Sequence, residues 1–183
     1  MINTATKLNQ TESIKGPIFE GMIDYSDCAP GHLENASGKS ILQQFQEKYT
    51  KELLSIISRQ NFEYGFYSRA DEFVRKRMEQ NAARTKEWLL SVFVDYFSDL
   101  KIMIGLLQVI LHMDYFDIYP QGQDIALAAL AHSDAEVREC GIRAFENWGT
   151  PESLRILKTI NYREKWLQEY IDQVILDLEE ELS

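Results

Sequence analysis

The stretch from Asp124 to Ile160 constrains the fold of this chain more than any other, because its residues mark where helices start and stop. Asp124 to His132 is rich in alanine and leucine, and Ser133 and Asp134 interrupt it. Ala135 to Trp148 then resumes with apolar residues at Val137, Gly141, Ala144, Phe145 and Trp148. A period of 3.6 residues brings these positions onto one helix face. Asp134 stands at the N-cap, where its carboxylate accepts from the free amides of the first turn, and Glu136 adds favourable charge near that positive end. Gly149 follows Trp148 as a glycine C-cap does. Thr150 and Pro151 then give an N-cap followed by a proline that tolerates its missing amide. A further helix is predicted over Pro151 to Thr159.

Short helices joined by tight turns cannot each bury an apolar face alone, so they must stack on their neighbours. The run Ser133, Asp134, Ala135, Glu136, Val137 and Arg138, with Ala144, Phe145, Gly149, Thr150, Pro151 and Glu152, resembles the second helix of a HEAT-type repeat and the turn after it. The best match covers about residues 121–150. The resemblance implies an α-α superhelix of helical hairpins, in which Asp134 and Arg138 pair inside the stack and are structural. A weaker copy lies 35 residues earlier, where Asp99 to Met113 puts Ile102, Leu107, Ile110 and Met113 at the places of Val137, Ile142, Phe145 and Trp148, with Met103 instead of the arginine. Forwards, Trp166, Tyr170, Ile171, Val174 and Leu178 mark the face of a last helix, without the Asp and Arg pair.

Ser40 to Arg59 carries Ile41, Leu42, Phe45, Tyr49, Leu53, Leu54, Ile56 and Ile57 at amphipathic-helix spacing. Asn61 to Ser68 is an aromatic loop expected to pack on the core. Ala70 to Gln80 and Ala82 to Ser98 read as two helices or one bent helix, the first bearing Arg75, Lys76 and Arg77. Leu100 to Met113 is apolar nearly all round, which predicts a central helix covered on several sides, with Leu106, Leu107, Ile110 and Leu111 buried. Asp114 to Pro120 is expected to be a loop. Residues 1–35, broken by Gly16, Pro17, Gly21, Pro30 and Gly31, read as an irregular or hairpin arm packed on an all-α domain of residues 36–183.

The 183 residues carry a formal net charge of −10, and residues 121–183 hold 13 acidic against 6 basic side chains. Such a surface repels phosphate backbones and attracts cationic partners. Residues 1–15 lack the apolar core of a secretory signal, and no apolar run reaches membrane-spanning length, so a soluble cytoplasmic protein without membrane association is expected.

Recognisable catalytic chemistry is sparse. Leu33 to Ser40 reads LENASGKS, a phosphate loop without its first glycine, and Gly38 to Ser40 serve better as a helix start. His32, His112 and His132 fall on different elements, so neither a metal nor another cofactor is expected. Cys28 and His32 stand four apart without a third orienting group, and Cys140 sits beside a buried helix face.

The expected function is therefore non-catalytic binding of a basic protein, most concretely by an immunity protein or antitoxin that masks a nuclease toxin. The alternatives are an adaptor and a bilin-lyase-like, cofactor-handling protein. The candidate surface joins Asp114, Tyr115, Asp117 and Tyr119 of the loop to Glu139, Arg143 and Glu146, read as the exposed stripe of the helix over Ala135 to Trp148. Carboxylates beside tyrosines suit an interface facing cations.

Overall fold

A computed structural model describes residues 41–183 apart from Tyr64. The expected N-terminal arm, the LENASGKS stretch and the Cys28–His32 pair lie outside the described residues. The elements are α1 (Ile41–Arg59), α2 (Arg69–Asp95), α3 (Leu100–Leu111), α4 (Tyr115–Ile118), α5 (Gln121–Leu130), α6 (Ala135–Trp148), α7 (Pro151–Leu157) and α8 (Lys165–Glu181). Among the described residues there is no strand, and the fold they form is all-α.

Local chemistry sets most of these boundaries. Asp134 accepts from the amides of Glu136 and Val137 at 2.9 and 3.3 Å, which starts α6. Gly149 ends it in the left-handed region (φ 55°), and Thr150 accepts from the Ser153 amide at 3.0 Å to start α7 on Pro151. Asp99 does for α3 what Asp134 does for α6, through the amide of Ile102 at 3.2 Å. A capping box opens α2, with Ser68 and Asp71 each accepting from the other's amide at 3.3 and 2.6 Å. The helix bends at Asn81 (φ −162°, ψ 93°), whose side chain caps the second half by accepting from the Arg84 amide at 3.0 Å. One bent helix is therefore the outcome of the two readings.

Several boundaries differ from expectation: α2 ends at Asp95 rather than Ser98, and α3 at Leu111 rather than Met113. The segment Asp114 to Pro120 is not wholly loop, because Asp114 accepts from the Phe116 amide at 2.9 Å and Ile118 is fully buried, which together fold the single turn α4. Helix α7 stops at Leu157 rather than Thr159.

Three helices, α3, α6 and α8, lie side by side and run the same way. Gln108 faces Cys140 at 3.9 Å, and further along Asn147 and Trp148 donate to the carbonyls of Leu111 and Met113 at 3.3 and 3.1 Å. Arg138 meets Glu164, and two turns on Glu146 meets Tyr170. Each helix of this row is preceded by one joined to it through a short connection: α2, α5 and α7. Leu106, Leu107 and Ile110 of α3 are fully buried and Leu111 nearly so, as a helix covered on several sides requires.

Glycines allow two of the closest approaches. A Cβ at Gly105 would lie 2.5 Å from Ile57 Cγ2, and one at Gly141 would lie 3.1 Å from the Ala126 carbonyl oxygen. One buried cluster centres on Trp88, Met103 and Leu107 and another on Phe145, Leu157 and Ile171; Trp148 packs against both.

The pairing of Asp134 with Arg138 is a correction. Capping turns the Asp134 carboxylate back onto α6. Arg138, one turn on, donates from Nη1 to the carbonyls of His132 and Ser133 at 2.8 and 2.9 Å and from Nη2 to Glu164, with its guanidinium over the Tyr162 ring. Trp166 is also displaced: the buried face of α8 is Leu167, Ile171, Val174 and Leu178, a stripe of helical spacing, and Trp166 stands a step to one side, half-exposed. Among the described residues, no helix is long and apolar enough to cross a membrane.

Candidate functional site

The aromatic and acidic residues of Asp114 to Tyr119 are held by a scaffold that fixes which of them face outward. A single helical turn is unstable alone. Ile118 anchors α4 from below. Tyr115 anchors it from the side, donating its hydroxyl to Gln123 at 2.5 Å and packing its ring 5.5 Å from that of Trp148. Burial pushes the Tyr115 hydroxyl pKa up, with Tyr119 and Glu152 adding to the shift. Tyr115 is thus a plug between helices. Phe116 (79% exposed), Asp117 and Tyr119 (48% exposed) are left outside. The Tyr119 carbonyl accepts from Lys86 Nζ at 2.7 Å, which ties the end of the turn to α2.

The α6 residues expected to continue this surface do something else. Glu139, Arg143 and Glu146 are half-buried rather than exposed. Arg143 pairs with Glu139 at 2.5 Å and lies with its guanidinium 5.2 Å from the centre of the Tyr170 ring, while Glu146 accepts from the Tyr170 hydroxyl. Arg143 and Glu146 lie against α8, Glu139 is held through Arg143, and this polar interlocking replaces much of the solvent contact that the helical spacing implied.

Beside α4 a cleft of about 890 Å³ opens, with residues of α2 on one wall and Val109 to Asp117 on the other. This volume is in the range of small-ligand sites. Asp114 and Asp117 line it, so the structure keeps two of the expected acids at a concave surface. At one end Asp71, already committed through Oδ2 to the α2 cap, meets His112 Nδ1 through Oδ1 at 3.0 Å. A carboxylate only accepts, so Nδ1 carries a proton and donates it to Asp71. Nε2 is buried and has no hydrogen-bond partner. The Tyr67 ring lies 4.9 Å from the imidazole and is itself 76% exposed. Asp71 meets His112 and, beyond the other end, Lys86 meets Tyr119, so the two walls advance together. Met78, Glu79 and Ala82 accordingly stand toward Met113 to Asp117.

The charges on the α2 wall largely cancel. The Lys76 ammonium, bonded to Glu72 at 2.7 Å, holds the Glu72 carboxyl below its usual pKa, with Arg75 and Arg69 adding to the effect. The third member of the expected cationic cluster, Arg77, is drawn off over the rings of Phe73 and Tyr49, with its guanidinium 4.2 and 4.4 Å from their centres. The aromatic loop divides: Phe62 packs on the core, whereas Phe66 and Tyr67 are exposed.

The Asp71–His112 pairing joins residues 41 apart, so no local spacing announces it. The readable signal was the Ser68-x-x-Asp71 box, which fixes a carboxylate at the start of a helix. Among the described residues, no group of three or more His, Cys, Asp or Glu side chains is arranged to hold a metal ion. In comparisons with known proteins, the chain matches no family model, no curated protein and no solved structure.

Proposed function

We propose that this chain is a non-catalytic binding module, a short stack of HEAT-like helix pairs that grips a basic protein through α4 and the neighbouring cleft. One observation carries the reading: Phe116 and Tyr119 are exposed beside Asp117 on a turn whose other residues, Tyr115 and Ile118, are fixed in the body. Large rings held rigidly in solvent contribute contact area on binding at little entropic cost, and flanking carboxylates favour cationic partners. The stack is supported by the parallel row α3, α6 and α8 and by the Asp-capped starts of α3 and α6, 35 positions apart. The most concrete version is a cytoplasmic immunity protein or antitoxin that covers the cationic active site of a nuclease toxin; an adaptor uses the same surface differently.

Affinity copurification read by mass spectrometry names the partner, and titration at two salt concentrations tests the surface. Asp117→Lys slows association and reduces its salt dependence, because the charge steers encounter. Phe116→Ala raises the dissociation rate and costs about 2 kcal/mol of binding, the scale of an aromatic hot spot. Unchanged affinity for both variants, with folding intact, refutes the proposal.

A further inference from the structure

We infer that the cleft seats an arginine side chain of the partner together with its flanking backbone, a reading that rests on the protein-binding function above. Its five lining carboxylates, Asp71, Glu72, Glu79, Asp114 and Asp117, outnumber its two guanidiniums, Arg69 and Arg75. Asp117 and Glu79 make no hydrogen bond or ion pair among the described residues, Asp114 has spent one oxygen on the α4 cap, and His112 Nε2 is buried without a hydrogen-bond partner.

A guanidinium carries only donors, five of them in a planar fork, and unlike an ammonium it pairs with carboxylates two bonds at a time. Its aliphatic stem needs an apolar surface, which Met78, Ala82 and Met113 supply between the walls. The volume of about 890 Å³ exceeds what one side chain fills, so backbone enters with it. Arg75, on the same wall as Glu79, is placed to donate to the carbonyls of that backbone and to repel a second cation. The cleft therefore selects one arginine within a segment rather than a basic run.

The probe is a blocked tripeptide, acetyl-Gly-Arg-Gly-amide, titrated into the isotope-labelled full chain and followed by amide and imidazole NMR shifts. Its citrulline counterpart has the same shape without the charge. The arginine peptide is expected to shift Glu79, Ala82, Met113, Asp117 and the His112 ring saturably, with the citrulline peptide about tenfold weaker. Ala82→Trp, at an exposed helix position, fills the groove and abolishes the shifts without unfolding the chain. Equal binding of the two peptides, or shifts confined to other surfaces, overturns the inference. The two readings separate on the named partner: full affinity of Ala82→Trp with loss in Phe116→Ala refutes the arginine seat and leaves the binding surface standing. Full affinity in Ala82→Trp, Phe116→Ala and Asp117→Lys alike removes both.

Discussion

Replacing Arg138 by alanine tests the joint between α5, α6 and α8. Arg138 is only 8% exposed, and its guanidinium holds two backbone carbonyls, His132 and Ser133, together with Glu164 at the start of α8. Hydrogen bonds from a charged donor contribute roughly 1.5–3 kcal/mol each when removal leaves the acceptor unpaired. Ser133 is exposed and water reaches its carbonyl after truncation, so the two together count for about 3 kcal/mol rather than twice that. The ion pair adds little, because the Glu164 side chain is 44% exposed and solvent screens it. The expected loss is therefore about 3 kcal/mol in urea unfolding followed by far-ultraviolet circular dichroism, or roughly 6–12 °C in midpoint temperature for a chain of this size. Glu164→Gln, which keeps the carbonyls satisfied, stays within about 1 kcal/mol of wild type. A loss below about 1 kcal/mol for Arg138→Ala refutes the reasoning. Equal losses for the two variants also refute it, by showing that the ion pair, not the carbonyls, holds the joint.

Other positions give independent checks. Gly105→Ala gains helix propensity yet drives a Cβ to 2.5 Å from Ile57 Cγ2, so a net destabilisation of about 1–2 kcal/mol is expected by urea titration. Burial, with Glu139 and Glu136 adding, pushes the Cys140 thiol up to about 12. In a Cys28→Ser background it reacts with a disulfide reagent at pH 8 roughly a thousandfold more slowly than a free thiol, and fast labelling of native protein contradicts its placement. Burial likewise raises Tyr162 from 10.0 to about 12, with Glu164 adding and Arg138 opposing. Its folded pKa lies above its unfolded one, so the stabilisation is complete below about pH 10 and is lost as pH rises to about 12. Tyr162→Phe, which forfeits the bond to the Leu130 carbonyl, is less stable than wild type at pH 8, and the gap narrows toward pH 12. A pH-independent difference counts against the assignment.

What the sequence made legible was chemistry acting within a few residues. Asp134, Gly149 and Thr150 with Pro151 fix both ends of α6 and the start of α7 through bonds to amides no more than three residues away, or through backbone conformation. The all-round apolar character of α3 likewise gave its central position. Helix α4 escaped notice because four residues are too few for a period to show, and its stability comes from Ile118 and Tyr115 packing elsewhere. Glu139, Arg143 and Glu146 were misread for a different reason. Hydrophobic spacing finds the apolar face and leaves the remainder to solvent, yet α8 covers this remainder with the hydroxyl and ring of Tyr170. Of the candidate surface, the α4 acids and Tyr119 survive as exposed groups; the cleft depends on Asp71 and His112, which only the tertiary fold brings together.

The placement of the three indoles gives the chain a built-in optical readout. Trp88 is sealed in the core with its N–H on Thr50, whereas Trp166 is half in water, so their emission belongs to the blue and red edges of the spectrum. Trp148 lies between the two buried clusters, its N–H on the Met113 carbonyl and its ring beside Tyr115. With Trp88 and Trp166 changed to phenylalanine, the remaining fluorophore sits directly behind α4. Anything that settles on Phe116 and Asp117 and shifts the Tyr115 plug alters the emission of a residue that it never touches, so occupancy is read without a label.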